Sequence, residues 1–115
     1  MNIQEYSELA IRTANDHDPL LHAVLGLADE AGELIGPMKK HIFYGKPIDK
    51  ANYLEEAGDL AWFLNLLIHS LDSTWEEVLS MNIAKLEKRY PDLRFNADHA
   101  INRDTVAEKA AMEGA

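Results

Sequence analysis

Two acidic pairs with the same spacing occur in this chain, and they are the residues best suited to chemistry. The segment DEAGEL places Glu30 and Glu33 three residues apart, and the segment EEAGDL repeats the spacing with Glu56 and Asp59. Residues three apart lie on the same face of an α-helix. Each pair is therefore predicted to project from one side of its helix, although either pair alone is also typical of a solvated face.

The second pair is harder to explain as solvated surface. Asp59 would share its side of the helix with Trp62, Phe63 and Leu66, and no Lys or Arg lies three or four residues from Glu56 or Asp59. Carboxylates at the edge of an apolar surface are costly to desolvate unless something neutralises them. Two such pairs on adjacent antiparallel helices would concentrate four negative charges. We therefore predict that the two pairs together bind divalent cations.

Oxygen ligands favour a hard cation at this site. The chain has no cysteine, and no imidazole is clustered with the acidic pairs, whereas carboxylates suit Mg²⁺ or Mn²⁺. A di-iron bundle would need Glu-x-x-His on two helices, but the fourth positions here are Glu33 and Asp59. We predict Mg²⁺, with Mn²⁺ as the alternative.

A stripe of hydrogen-bond donors could bind phosphate groups. The segment NIAKLEKRYP places Asn82, Lys85 and Arg89 at helical positions i, i+3 and i+7, and Lys and Arg are the usual partners of phosphate oxygens. The same pattern is typical of a solvated basic patch near a helix C-terminus, and both interpretations stay open here. The lysines of the segment KKHIFYGK are a second, weaker candidate.

Three aromatic side chains share helix faces with the acidic pairs. They are His22, Trp62 and Phe63. Aromatic residues at helical spacing belong more often to a core than to a binding site.

The elements that must position these residues are all predicted to be helices. Capping residues precede the apolar periodicities at Asn2, Asp18, Asp49 and Ser73, the last paired with Glu76 as a capping box. No strand pattern competes, so the fold class is all-α, a bundle of four to five helices per chain. The predicted helices cover residues 2–15, 19 to about 38 with an end or kink at 36–37, 49–71 and 73–90. The segment KKHIFYGKP is predicted to be a short helix or a loop, residues 91–102 an irregular stretch, and TVAEKAAM a turn or two of helix.

The third predicted helix contains LAWFLNLLI, in which eight of nine residues are apolar and cover every face. A helix that is apolar all round must be surrounded by protein, and the other helices are too few to do so. We predict that a second copy completes the four-helix core, giving a homodimer or homotetramer, against the alternative of a tightly wrapped monomer. Gly32 and Gly58 are predicted to let helices approach closely beside the acidic pairs.

The composition limits the binding partners and the cellular compartment that we expect for this protein. The chain has 115 residues, enough for one domain, and a formal net charge of −9. That charge disfavours general nucleic-acid binding, which depends on a basic surface. No apolar run reaches the roughly 18 residues of a membrane helix, and the N-terminus lacks the pattern of a signal peptide. We expect a cytoplasmic protein with neither nucleic acid nor membrane as a partner.

Three blocks in order, GLADEAGEL, LEEAGDLAWFL and NIAKLEKRYP, resemble the MazG-type nucleoside triphosphate pyrophosphohydrolases. That family belongs to an all-α superfamily with the dimeric dUTPases and the phosphoribosyl-ATP pyrophosphohydrolases, and its signature is E-x-x-E followed, after a spacer, by E-x-x-D. The resemblance covers about residues 20–95. It implies a catalytic domain over residues 1–97 and a tail over 98–115 that is partly ordered or a short helix.

The resemblance implies Mg²⁺-dependent hydrolysis of a (deoxy)nucleoside triphosphate to the monophosphate and pyrophosphate, in a dimer or a dimer of dimers. Glu33 is our choice as general base, and Lys85 and Arg89 would stabilise the leaving pyrophosphate. The implied metal ligands are Glu30, Glu33, Glu56 and Asp59, and the implied substrate-binding residues are Asn82, Lys85, Arg89, His22, Trp62 and Phe63. The alternatives are a dUTPase-like or phosphoribosyl-ATP pyrophosphatase, or a non-catalytic helical dimer with an acidic surface for a metal or a partner.

Overall fold

The computed structural model describes residues 1–115 and is all-helical, with 72% of the residues in helices and no strand. This confirms the all-α class. Seven helices form rather than four to five: α1 Ile3–Ile11, α2 Pro19–Gly32, α3 Ile35–Tyr44, α4 Lys50–Ser70, α5 Trp75–Arg89, α6 Ala97–Ile101 and α7 Thr105–Glu113. They form two compact units, residues 1–72 and 73–115. The assignment of residues 1–97 to a catalytic domain stays a prediction.

Local capping signals set the starts of the helices in the first unit. Asn2 Oδ1 accepts a hydrogen bond from the backbone N–H of Glu5 at 2.8 Å, and Asn2 Nδ2 donates to Glu5 Oε1 at 2.9 Å. Asp49 Oδ1 caps α4 by accepting from the backbone N–H of Asn52 at 3.1 Å. Pro19 is the first residue of α2, where its missing N–H costs nothing. These predicted starts are confirmed.

The predicted helix from residue 19 to about 38 is wrong in one respect, because it consists of two helices. α2 ends at Gly32, and the backbone N–H of Glu33 donates to the carbonyls of Asp29 and Glu30 at the C-cap. α3 then begins at Ile35, which makes Pro37 its third residue. A proline in the first turn of a helix lacks only an N–H that has no partner within the helix. Pro37 therefore lies inside a new helix instead of ending the old one.

The core of the first unit lies where α2 and α1 pack on α4. Ala23, Leu66 and Ile68 are buried there. At Gly26 the ring of Phe63 lies so close that a Cβ atom would be 2.5 Å from Cζ. By contrast, no atom lies within 4 Å of a Cβ built at Gly32 or Gly58. The prediction that Gly32 and Gly58 permit helices of the same chain to approach closely is therefore wrong. Gly26 is the glycine that permits the close approach of α4 to α2.

A polar network crosses the same core between α1 and α4. Asn65 is 1% exposed, and its Nδ2 donates to the backbone carbonyl of Ser7 at 3.1 Å. The Ser7 hydroxyl donates to Asn65 Oδ1 at 2.7 Å and lies 2.9 Å from His69 Nε2. Asn65, the one polar residue of LAWFLNLLI, thus joins α4 to α1 by two hydrogen bonds.

The second unit contains α5, α6 and α7, with α7 packed along α5. α5 is capped by Thr74, whose hydroxyl accepts from the backbone N–H of Glu77 at 3.1 Å, so the predicted Ser73 cap is one residue too early. The irregular stretch predicted for 91–102 contains α6, which Asn96 caps by accepting from the N–H of His99 at 3.1 Å. α7 covers the TVAEKAAM segment and extends one residue past it.

Large apolar side chains remain exposed on the helices of the first unit. α4 is only partly covered, since Leu54 is 61% and Leu64 is 39% exposed. None of the seven helices has the length and apolar character that crossing a bilayer requires. The exposed large side chains of α2 and α3 are Leu20, Leu21, Val24, Leu25, Ile35, Met38, Ile42, Phe43 and Tyr44.

Candidate metal centre

The packing of α2 against α4 brings together three of the four predicted metal ligands. Glu30 on α2 and Glu56 and Asp59 on α4 each offer one carboxylate oxygen, and these three oxygens lie within 4.8 Å of one another. Carboxylate oxygens within that distance can share one cation, which is the arrangement hard divalent ions prefer. The structure therefore contains a candidate metal centre, and its ligand chemistry does not name the metal.

Glu56 is the most constrained member of this centre. Its side chain is largely buried, with the residue 9% exposed, and its Oε2 has no hydrogen-bond partner. Burial raises the pKa of Glu56 to about 6, with further contributions from a hydrogen bond to Glu30 and from the charges of Glu30, Asp59 and Glu33. A buried acceptor without a partner is rare in folded proteins. A cation would supply both the missing partner and the missing charge, so the residues present fit a metal.

Glu33 does not belong to this group of three. It is exposed at the C-cap of α2, where the chain turns before α3 begins. Its charge still contributes to the raised pKa of Glu56. The three-residue spacing predicted that Glu33 would project with Glu30. The backbone of Glu33 is still helical, with φ −64° and ψ −17°, but its carboxylate is not among the three whose oxygens lie within 4.8 Å of one another. The role of Glu33 as a metal ligand stays a prediction.

Other polar groups near the centre were not anticipated. Burial and the charge of Asp59 together raise the pKa of Tyr6 on α1. Asn52 lies one helical turn before Glu56, and its buried Oδ1 lacks a partner. The spacing of four residues from Asn52 to Glu56 places both on one helix face, and this spacing is visible in the sequence.

A cavity of about 560 Å³ opens beside Asn52 between the end of α3 and the start of α4. Lys40 and Lys46 line it, and both belong to the segment KKHIFYGK that was the second candidate for binding phosphate. Asp49 lines it as well, so the cavity presents both charge signs. Its lining fits a polar ligand without specifying one.

The three aromatic candidates form one cluster between α2 and α4. The ring centroids lie 5.4 Å apart for His22 and Phe63, 6.1 Å for His22 and Trp62, and 5.0 Å for Trp62 and Phe63, and all three pairs are edge-to-face. Trp62 Nε1 donates to Thr13 Oγ1 at 2.8 Å. The rings therefore already pack on one another, as core aromatics do. Their role in stacking on a base stays a prediction.

The three residues predicted to bind phosphate groups all lie on α5 in the second unit; they are Asn82, Lys85 and Arg89. Asn82 is exposed and Lys85 is partly buried. Arg89 is bound to Glu108 of α7, with Nη2 donating to Oε1 at 2.7 Å and Nε at 3.2 Å. The sequence pattern did not reveal this partner, which lies 19 residues further along the chain.

Comparisons of the chain with protein-family models, with curated proteins and with solved structures found no match.

Proposed function

We propose that this protein is a Mg²⁺-dependent nucleotide pyrophosphohydrolase, which converts (deoxy)nucleoside triphosphates to the monophosphate and pyrophosphate. The observation that carries the proposal is the convergence of Glu30, Glu56 and Asp59, with a buried Glu56 oxygen that has no partner. The resemblance of three sequence blocks to the MazG-type enzymes supplies the reaction. The protein is an enzyme under this proposal, and its substrate is a nucleoside triphosphate.

The metal centre gives each carboxylate a distinct task. Glu30, Glu56 and Asp59 would hold the cation, because their oxygens already lie within 4.8 Å of one another. Bound there, Mg²⁺ would offset the charge of the phosphate oxygens and lower the pKa of a coordinated water. Glu33 would accept the proton of the water that attacks the α-phosphorus. Its exposed position outside the group of three leaves its carboxylate open to solvent for that task.

The remaining assignments rest on the resemblance. Lys85 and Arg89 would bind the phosphates of the leaving pyrophosphate, with Asn82 as a further donor. The aromatic cluster of His22, Trp62 and Phe63 would border the base.

A homodimer or homotetramer is the proposed assembly. The exposed apolar side chains of α2, α3 and α4 support it, because soluble monomers rarely expose extended apolar patches. A second copy of the chain would cover these side chains and complete the four-helix core.

Incubation with each NTP and dNTP plus Mg²⁺, followed by chromatographic identification of the products, tests the proposal. We expect a monophosphate and pyrophosphate, with turnover abolished by EDTA and by Asp59→Asn. Asp29→Asn is the matched control, since Asp29 is an exposed neighbour of the acidic pair outside the group of three. Orthophosphate as the only product, or no turnover across the panel, would reject the enzyme.

The same panel separates the alternatives. Turnover restricted to dUTP, or to phosphoribosyl-ATP when that compound is added, would identify the related enzymes. A non-catalytic acidic surface predicts instead no turnover at all, together with Glu33→Gln and Asp59→Asn variants that are as stable as the wild type or more so because repulsion is relieved.

A further inference from the structure

A carboxylate buried in the second unit is bound by two arginines. Glu108 of α7 is 1% exposed. Its Oε1 accepts from Arg89 Nη2 at 2.7 Å, from Arg89 Nε at 3.2 Å and from Arg103 Nη2 at 3.0 Å, and its Oε2 accepts from Arg103 Nε at 2.9 Å. We call Arg89, Arg103 and Glu108 the arginine–carboxylate triad.

The two guanidinium groups of the triad carry more positive charge than is needed to neutralise the Glu108 carboxylate. Hydrogen bonds from Arg89 and Arg103 lower the pKa of Glu108 although burial opposes this, so the carboxylate is ionised at neutral pH. Two guanidinium groups and one carboxylate leave a formal net charge of +1. A single arginine would neutralise Glu108, and a second one creates a positive site in a chain whose net charge is −9. A surplus cation that is partly withdrawn from water favours an anion beside it.

Glu108 also determines how Arg89 is oriented. Both bonds from Arg89 use the side-on edge of the guanidinium, formed by Nε and Nη2. The group is planar and rigid, so its outer edge, which carries Nη1, points away from Glu108 in a set direction. The Arg89 side chain is 16% exposed, and its guanidinium carbon lies 5.9 Å from the centre of the Tyr90 ring. Arg89 is thus held in place while part of it remains accessible.

We propose that Glu108, itself held by Arg103, is a positioning residue that orients the outer edge of Arg89 toward a phosphate or pyrophosphate group. The inference deepens the proposed function and rests on it, because Arg89 is taken there as a ligand of the pyrophosphate. An arginine that is already immobilised loses less conformational entropy when an anion binds than a free side chain does. Glu108 touches no substrate atom and acts through Arg89 alone.

Titration of the full-length protein with sodium pyrophosphate in EDTA, followed by NMR, tests the inference without requiring turnover. Glu108→Gln keeps the shape of the side chain, but its amide group donates hydrogen bonds toward guanidiniums that have only donors. Loss of the carboxylate raises the formal charge of the triad to +2, which by itself would strengthen anion binding, so weaker binding reports the lost orientation of Arg89. We expect the Kd for pyrophosphate to rise roughly tenfold, the loss associated with one charge-assisted hydrogen bond. Glu108→Asp should recover part of the affinity, and Glu113→Gln, the same change at an exposed site of α7, should leave it unchanged.

The Arg89→Lys background separates positioning from a structural role. If Glu108 acts through Arg89, Glu108→Gln should weaken pyrophosphate binding by less than twofold in that background. A carboxylate that only joins α7 to α5 would change the melting temperature of Glu108→Gln and leave its Kd within twofold of the wild type, which would overturn the inference. If Glu108→Gln does not fold, Arg103→Lys, at a side chain 38% exposed, is judged by the same criteria.

The outcomes for the triad and for the enzyme are separable. Nucleotide turnover by the wild type with an unchanged pyrophosphate Kd in Glu108→Gln overturns the positioning role and leaves the enzyme intact. Pyrophosphate binding that depends on Glu108 without turnover of any nucleotide rejects the enzyme and supports the positioning role. A wild type that does not bind pyrophosphate overturns the inference.

Discussion

Protonation of Glu56 should compete with the cation at the metal centre. The pKa of this carboxyl is raised from 4.5 to about 6, first by burial and then by Glu30, Asp59 and Glu33. A carboxylate must be deprotonated to bind a metal. The affinity for Mg²⁺ or Mn²⁺ should therefore fall as the pH is lowered through about 6, and this perturbation tests the packing of the centre directly.

The size of the effect follows from the pKa. With one competing proton, the apparent Kd is multiplied by 1 + 10^(pKa − pH). For a pKa of about 6 this factor is about 11 at pH 5, about 2 at pH 6 and about 1.1 at pH 7. A carboxyl that keeps the ordinary value of 4.5 would give a factor of only about 1.3 at pH 5. Roughly tenfold weaker binding at pH 5 than at pH 7 therefore distinguishes a buried, crowded Glu56 from an ordinary surface carboxylate.

Isothermal titration calorimetry with Mn²⁺ and with Mg²⁺ at pH 5, 6 and 7 measures this dependence. Glu55→Gln, the same change at the exposed neighbouring residue, should leave the tenfold dependence intact. Glu56→Gln should weaken binding at pH 7 and remove most of the dependence between pH 5 and 7. An affinity for the wild type that differs by less than twofold between pH 5 and pH 7 would refute the reasoning.

In the absence of a metal, ionisation of the Glu56 carboxyl should lower the stability of the fold. Because folding raises the pKa of Glu56, its contribution to stability is fully present below pH 4.5 and is lost as the pH rises through about 6. In EDTA, Glu56→Gln should therefore gain stability relative to the wild type as the pH increases from 5 to 7.5. Added Mg²⁺ should raise the melting temperature of the wild type at pH 7.5 and reverse that order.

Two further changes test the packing of the first unit by urea denaturation. Gly26→Ala places a methyl group against the aromatic ring that covers this position, and overpacking of this kind typically costs about 1–3 kcal/mol of unfolding free energy. Gly32→Ala, where a Cβ meets nothing within 4 Å, is the control and should not be destabilising; equal effects at both sites would contradict the packing. Asn65→Ala removes two hydrogen bonds to Ser7 in a buried contact, for a loss of roughly 1–3 kcal/mol. A free energy of unfolding unchanged by Asn65→Ala would show that the polar network does not hold α1 against α4.

Signals confined to a few residues predicted much of the secondary structure. Asn2, Asp18 and Asp49 stand at the N-caps that the capping patterns indicated, and all three helices begin there. At Asn2 and Asp49 the predictions succeed because a helix start depends on a side chain and the backbone N–H groups within about three residues of it. The Asp18 side chain makes no capping hydrogen bond, and Pro19 at the first helical position marks that start. The end of α2 was predicted less well, because Gly36 and Pro37 look like a helix stop and are in fact the first turn of α3.

The tertiary structure decided which of the paired carboxylates converge. The spacing treated Glu30 and Glu33 as equivalent, but the packing of α2 on α4 selects Glu30, and α2 ends one residue before Glu33. The burial of Glu56 and the displacement of its pKa likewise depend on side chains from another helix. Sequence spacing assigns a residue to a helix face, whereas the rotation of one helix against its neighbour determines what that face meets.

The chain by itself therefore determined the all-α class, most helix starts and the acidic residues from which a metal centre can be built. Packing decided which carboxylates form the centre, that Gly26 rather than Gly32 or Gly58 allows close approach, and that Arg89 is bound by Glu108. Helix formation is governed by hydrogen bonds between residues at most four apart, so the sequence shows it directly. The metal centre joins Glu30 to Glu56, 26 residues further along the chain, and the arginine–carboxylate triad joins Arg89 to Glu108, 19 residues further along; only the folded chain brings such residues together.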